Sequence, residues 1–154
     1  MKGASGFAPD FVDMLRALAE TGAEFLVVGA HAMALHGVPR ATGDLDVLVR
    51  PSADNAVRVL AALRSFGAPV DSHGVSEADL ATPDTVYQIG LPPNRIDLMT
   101  SISGLDFDEA WHSRELVEVE GIPTPFLGRD ALVKNKRATG RAKDELDLAL
   151  LAER

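Results

Sequence analysis

Residues 24–50 read EFLVVGAHAMALHGVPRATGDLDVLVR, and the order of residue types in this stretch decides the fold. EFLVV (24–28) is apolar and β-branched and lies between Gly22 and Gly29, the pattern of a short buried strand. AHAMALHG (30–37) is alanine-rich and ends in glycine, the pattern of a short helix. LDVLVR (45–50) is a second strand, stopped by Pro51. A strand that turns through glycine straight into a helix lets the backbone approach a phosphate and aims free N–H groups at it. At the mouth of the second strand stand two carboxylates, Asp44 and Asp46. Side chains alternate along a strand, so Asp44, Asp46, Leu48 and Arg50 share one face and Leu45, Val47 and Val49 the other. The two aspartate Cα atoms lie roughly 6–7 Å apart, within reach of one small hard cation, and an oxygen-only donor set suits Mg²⁺ or Mn²⁺. Taken alone, a D-x-D pair is more often a solvated turn, here at Gly43-Asp44.

Working outward, residues 10–21 predict a helix capped by Asp10, with Phe11, Met14, Leu15 and Leu18 at helical spacing and Gly22 as the stop. Ser52 caps a second helix running to about Phe66, with Val57, Leu60 and Leu63 as its apolar stripe. Residues 67–83 read as an irregular loop. TVYQIGL (85–91) and RIDLMTS (95–101) read as a strand pair joined across PPN. DFDEAWHS (106–113) predicts one or two helical turns, and ELVEVEGIPTPFLG (115–128) one strand with a short extension. Residues 130–139 and 144–153 predict two terminal helices broken at Gly140. No repeat or linker divides the chain, so the expected fold is α/β (α+β), with helices packed around a mixed sheet and a C-terminal helical pair.

Composition narrows the function classes. The 154 residues include no cysteine, which excludes disulfides and thiolate chemistry. A net charge of −8 argues against broad, non-specific nucleic-acid binding. Arg129, Lys134, Lys136, Arg137, Arg141 and Lys143 nevertheless gather in one stretch, a local cationic patch suited to a phosphate ligand. The apolar runs are far shorter than the ~20 residues of a membrane span. With no signal peptide evident, the expected location is the cytoplasm.

Asp97 sits inside the apolar strand RIDLM, sharing a face with Arg95 and Met99. A carboxylate in such a strand needs a partner, either an arginine such as Arg95 or a metal. Gly29-Ala30, thirteen residues, Asp44-Leu45-Asp46-Val47 and then Ile96-Asp97-Leu98 resemble the hG[GS]…Dh[DE]h…hDh pattern of the nucleotidyltransferase (polymerase β-like) superfamily. VVGAHAMALHG, PRATGDLDVLV, RIDLMTSISGLDFDEAW and KRATGRAKDELDL look more narrowly like small bacterial proteins related to the abortive-infection toxin AbiEii.

The resemblance implies a single domain, 1–154, with a nucleotidyltransferase-type sheet. It implies that Asp44, Asp46 and Asp97 hold two divalent ions, Mg²⁺ or Mn²⁺, with Asp97 on the nucleophile side. It places the triphosphate at Gly29, Ala30 and the helix that follows. Arg40 and Thr42 match the R-x-T-x-D-x-D run and either orient the loop or meet phosphate. The chain departs from the pattern at Ala30, where glycine or serine is usual; alanine offers only its backbone N–H.

In the C-terminal segment, Lys136 lies four residues after Leu132 and three before Thr139, on the face of the inward apolar row. Lys136…Gly140-Arg141-Ala142-Lys143-Asp144…Asp147 resembles the K…GR-x-KD…D run of the AbiEii-like proteins. This resemblance implies that Lys136 and Arg141 face the cleft and bind nucleotide phosphates; the alternative is a solvated helix face with exposed ion pairs to Asp144 or Asp147. His31, near the helix start, either contacts phosphate or packs. Trp111 reads as a core or lid anchor. The expected activity is transfer of a nucleoside monophosphate from a nucleoside triphosphate to a hydroxyl acceptor, a tRNA or a partner protein, in a toxin–antitoxin or phage-defence setting. The alternative is a catalytically weak nucleotide-binding or antitoxin-like protein of the same fold.

Overall fold

The computed structural model describes residues 2–4, 6–39 and 43–153. The chain begins β1 (Lys2–Ala4), α1 (Pro9–Glu20), β2 (Phe25–Val28), α2 (Gly29–Leu35), β3 (Leu45–Val49), α3 (Ala53–Phe66) and α4 (Glu77–Leu80). It continues β4 (Val86–Ile89), β5 (Ile96–Met99), α5 (Phe107–His112), β6 (Glu115–Val119), β7 (Ile122–Phe126), α6 (Arg129–Thr139) and α7 (Ala142–Ala152). The strands form one mixed sheet of seven, ordered β1-β6-β7-β2-β3-β5-β4.

Strand alternation sorts the side chains into two layers. Leu45, Val47 and Val49 of β3 join Phe25, Val27, Ile96 and Leu98 in a core closed by Leu15 and Leu18 of α1 and Val59 and Leu63 of α3. Leu26, Val28 and Leu48 point the other way, into a core with Met33, Phe107, Leu127, Leu132 and Leu151. Asp46 lies on this second face, because it shares its parity with Leu48. The carboxylates therefore look toward the layer that α5, α6 and α7 supply.

Asn55 ties the first layer together. Its side chain accepts from the Glu24 N–H at 2.7 Å and donates to the carbonyls of Glu24 and Arg50, each at 3.0 Å. One buried amide thus joins the starts of β2 and α3 to the end of β3. Asn55→Ala leaves the Glu24 N–H without its partner and takes one of two donors from each carbonyl, and is expected to cost about 1–3 kcal/mol. The urea midpoint should fall while the slope of the transition holds.

Several expectations change on folding. Residues 115–128 form a complete hairpin, β6 and β7, not one strand with an extension; Glu120 and Gly121 both take positive φ in its tight turn. Pro123 and Pro125 mask β7 in the sequence, yet β7 meets β2 only through Val27 and Phe126, so it needs few of the donors that proline lacks. The loop at 67–83 contains α4, started by a capping box between Ser76 and Asp79. Asp10 lies in the first turn of α1 and does not cap it; the cap position is Ala8, followed by Pro9. Val57 is half exposed, and the buried stripe of α3 runs instead through Ala56, Val59, Leu60 and Leu63.

Candidate active site

Sheet register assembles the site. Asp46 of β3 stands directly beside Asp97 of the parallel strand β5. On its other side it pairs with Val28, the last residue of β2, so Gly29 follows at once against the Asp46 side chain. Gly29 has φ +67°, and a Cβ there would stand 2.2 Å from Asp46 Oδ2. Only glycine accepts both the left-handed backbone and this close approach. Gly29→Ala is expected to push the Asp46 carboxylate from its position and to cost about 1–2 kcal/mol from the backbone alone. A melting comparison with an Ala30→Gly control checks it.

Asp44 lies just before β3, next to Arg95, and the Leu45 N–H donates to the Arg95 carbonyl at 2.9 Å. Gly43, immediately before Asp44, rests directly on the β4–β5 turn: a Cβ there would sit 1.6 Å from the Pro93 carbonyl oxygen. The Arg95 guanidinium reaches two of the three acids. Its Nη2 lies 3.2 Å from Asp44 Oδ2 and its Nε 2.9 Å from Asp97 Oδ1. Nη2 also donates to Asp97 Oδ2 at 3.1 Å. Of the two partners weighed for Asp97 in the sequence, an arginine or a metal, Arg95 is the one in contact here.

Asp46 does not pair with Arg95 directly. Its burial, then the Asp97 charge, a hydrogen bond shared with Asp97 and the Asp44 charge push its carboxyl up to about 6. Arg95 opposes these only in part. Three acids thus gather about the Arg95 guanidinium at the strand ends. Three oxygen-only donors have the chemistry of a hard divalent cation site. Among the described residues, however, no three His, Asp or Glu side chains are gathered as a metal cage.

These acids line a cleft of about 520 Å³ together with Gly29, Ala30, Lys136 and Arg141. Ser101, Ser103, Asn135, Thr139 and Lys143 complete its polar lining. Lys136 is almost wholly buried, as its place on the inward row of α6 requires. Its Nζ lies 3.3 Å from Asp144 Oδ1 and 3.2 Å from Asp147 Oδ2, two carboxylates with no exposed side-chain surface. Arg141 holds Asp144 from the other side, Nε to Oδ2 at 2.7 Å and Nη2 to Oδ1 at 3.2 Å, and the Thr139 hydroxyl donates to the same group. The Arg141 bond, helped by Thr139 and Lys136, keeps the Asp144 carboxyl well below the usual carboxylate range despite its burial. The ion pair anticipated at Asp144 exists, but it is an internal clasp between α6 and α7 rather than a solvated one. Arg141 itself remains 64% exposed.

His31 sits apart from the cleft lining. Its ring stacks on Phe7 at 4.8 Å and meets the edge of Phe11 at 5.8 Å. Burial holds its imidazole below the ordinary histidine range, against a hydrogen bond to the Asp44 backbone. The packing alternative is the one the geometry favours for His31. Arg40 and Thr42 lie outside the described residues. Trp111 stacks on Phe107 at 5.6 Å and packs against the second core, with the Arg114 guanidinium 4.1 Å from its ring centre, so of the two roles read for it the core anchor is the one its contacts fit. Ser101, Ser103 and Asn135 carried no signal in the sequence: they reach the cleft through the folding of separate segments.

The mixed sheet and its flanking helices have the nucleotidyltransferase fold, shared with two solved structures. A candidate nucleotidyltransferase from Thermotoga maritima superposes with a TM-score of 0.56 at 18% identity, over 97% of this chain and 98% of that one. The aminoglycoside nucleotidyltransferase ANT(2″)-Ia, solved with adenylyl-2″-tobramycin, superposes with a TM-score of 0.54 at 14% identity, over 93% of this chain and 86% of that one. No protein-family model matches the chain, and no curated protein matches it in sequence. No helix among the described residues is long and apolar enough to cross a membrane.

Proposed function

We propose that the chain is a nucleotidyltransferase that moves a nucleoside monophosphate from a nucleoside triphosphate to a hydroxyl acceptor. The observation that carries this reading is the register pairing of Asp46 with Asp97, backed by Gly29, in a cleft whose far wall is cationic. Asp44, Asp46 and Asp97 would hold Mg²⁺ or Mn²⁺, which supplies charge neutralisation at the phosphates and a lowered pKa at the acceptor hydroxyl. Gly29 and Ala30 let the triphosphate approach the acids, and Arg141 faces its phosphates from the turn before α7, with Lys136 lining the same wall while held by Asp144 and Asp147. The acceptor hydroxyl gives its proton to water as its oxygen bonds to the α-phosphorus in line, the bond to the α–β bridging oxygen breaks, and pyrophosphate leaves. The chain's share of catalysis is positioning and electrostatics, with no covalent intermediate.

The AbiEii-like runs favour a tRNA or a partner protein as acceptor, in a toxin–antitoxin or phage-defence pair. The ANT(2″)-Ia complex is an example of a small hydroxyl compound in that role on the same fold. A second reading, a nucleotide-binding protein with little transfer, is favoured by Ala30 and by carboxylates that hold Arg95 rather than standing as a metal cage. Incubation with α-labelled nucleoside triphosphates, Mg²⁺ or Mn²⁺, and tRNA or cell lysate separates the two. Label transferred by the wild type and lost in Asp44→Asn supports the enzyme. Metal-dependent thermal stabilisation by triphosphate without transfer supports the binder, and no effect of metal or nucleotide rules out both.

A further inference from the structure

Arg95 is placed by the same register that builds the triad, one residue before the Leu45–Ile96 rung. Its guanidinium takes both oxygens of Asp97 and one of Asp44, and these acids are its only ion-pair partners among the described residues. A metal ion held by Asp44, Asp46 and Asp97 needs oxygens from the same two groups. Two cations at contact distance from shared carboxylates compete, by charge and by lone pair. The Arg95 side chain is 29% exposed and lines the cleft, so it can leave by turning into the cleft without disturbing either core.

We propose that Arg95 is a resident counter-cation of the triad: it neutralises and pre-positions Asp44 and Asp97 before metal arrives, and divalent binding requires its displacement. The inference rests on the nucleotidyltransferase reading of the three aspartates. It explains how three acids are tolerated at adjoining strand ends in a form with no metal cage. It also gives metal loading a built-in threshold, because each ion bound must first break a bidentate guanidinium–carboxylate contact.

Mn²⁺ binding, followed by the loss of the free-ion electron paramagnetic resonance signal and without any substrate, tests it directly. Arg95→Met is expected to bind Mn²⁺ at least about tenfold more tightly than the wild type, since the competing charge is gone. Adding Asp46→Asn to that variant should abolish the gain, which places the ion at the triad. Arg95→Lys keeps a charge but cannot span both Asp97 oxygens, so an intermediate affinity is expected. If Arg95→Met does not fold, the lysine variant alone decides. Mn²⁺ affinity equal to or below that of the wild type in the folded variants would overturn the proposal and leave the transferase reading in place. Mn²⁺ binding by neither the wild type nor any variant would overturn both this proposal and the metal-dependent part of that reading.

Discussion

Asp46→Asn is expected to abolish nucleotidyl transfer and, in the same protein, to raise its stability at neutral pH. The loss should be about 10²–10³-fold or more, the scale for removing a group that stabilises developing charge in a water-poor site. The gain follows from the burial and neighbouring acids that push the Asp46 carboxyl up to about 6 from its ordinary 3.8. A carboxyl whose pKa is raised by folding favours the native state at low pH and costs stability as pH rises from the unfolded value through the folded one. Above about pH 6 that cost is complete. A shift of this size corresponds to about 3 kcal/mol at most, and solvent screening at the cleft reduces it to about 1–2 kcal/mol. Asparagine keeps a hydrogen bond to Asp97 without the charge. Metal-free melts should therefore show the variant about 2–8 °C above the wild type at pH 8, converging near pH 4. A variant that loses transfer and also melts lower would show that Asp46 stabilises the fold, contrary to its placement.

Asp144→Ala should produce the largest loss of stability, about 3–5 kcal/mol, because it opens a buried ionic network and leaves its cations short of a partner. Asp144 receives Lys136, Thr139 and Arg141 at once, so its removal loosens α7 from α6 along with the cationic wall of the cleft. Its carboxyl is held below the usual range by Arg141 first, with Thr139 and Lys136. Stability gained from a depressed carboxyl is complete above the unfolded pKa and fades as pH falls toward the folded one. Urea titrations at pH 7 should thus separate the wild type from Asp144→Ala most clearly, with the gap narrowing below about pH 4. A constant gap across that range would assign the cost to lost packing alone.

Much of this was legible in residue order. Gly29, Asp44, Asp46 and Asp97 are marked by punctuation and period: a glycine between strand and helix, and carboxylates at alternate positions of apolar runs. Lys136 is marked by its place on the inward row of α6. The hairpin β6–β7 was hidden because two prolines spoil the strand signal locally, and only the arrangement of neighbouring strands shows that their missing donors are not needed. The bounds expected for α3, from the Ser52 cap to about Phe66, hold, since a side-chain cap acts within a few residues; the structure adds a left-handed stop at Gly67.

The sequence by itself determined the two-layer pattern and the side of the sheet that carries the acids, because both depend on the two-residue period of a strand. Pairing was decided only in three dimensions. Arg95, two residues from Asp97, bridges to Asp44 across a parallel register spanning some fifty residues of chain. Lys136 points inward as its spacing requires, but whether it meets ligand or carboxylate depends on how α7 folds back, and the structure gives it Asp144 and Asp147. His31, next to the Gly29 strand–helix junction in sequence, packs against Phe7 and Phe11. Charges are satisfied by whichever partners tertiary folding brings within a few ångströms, and sequence spacing carries no record of those distances.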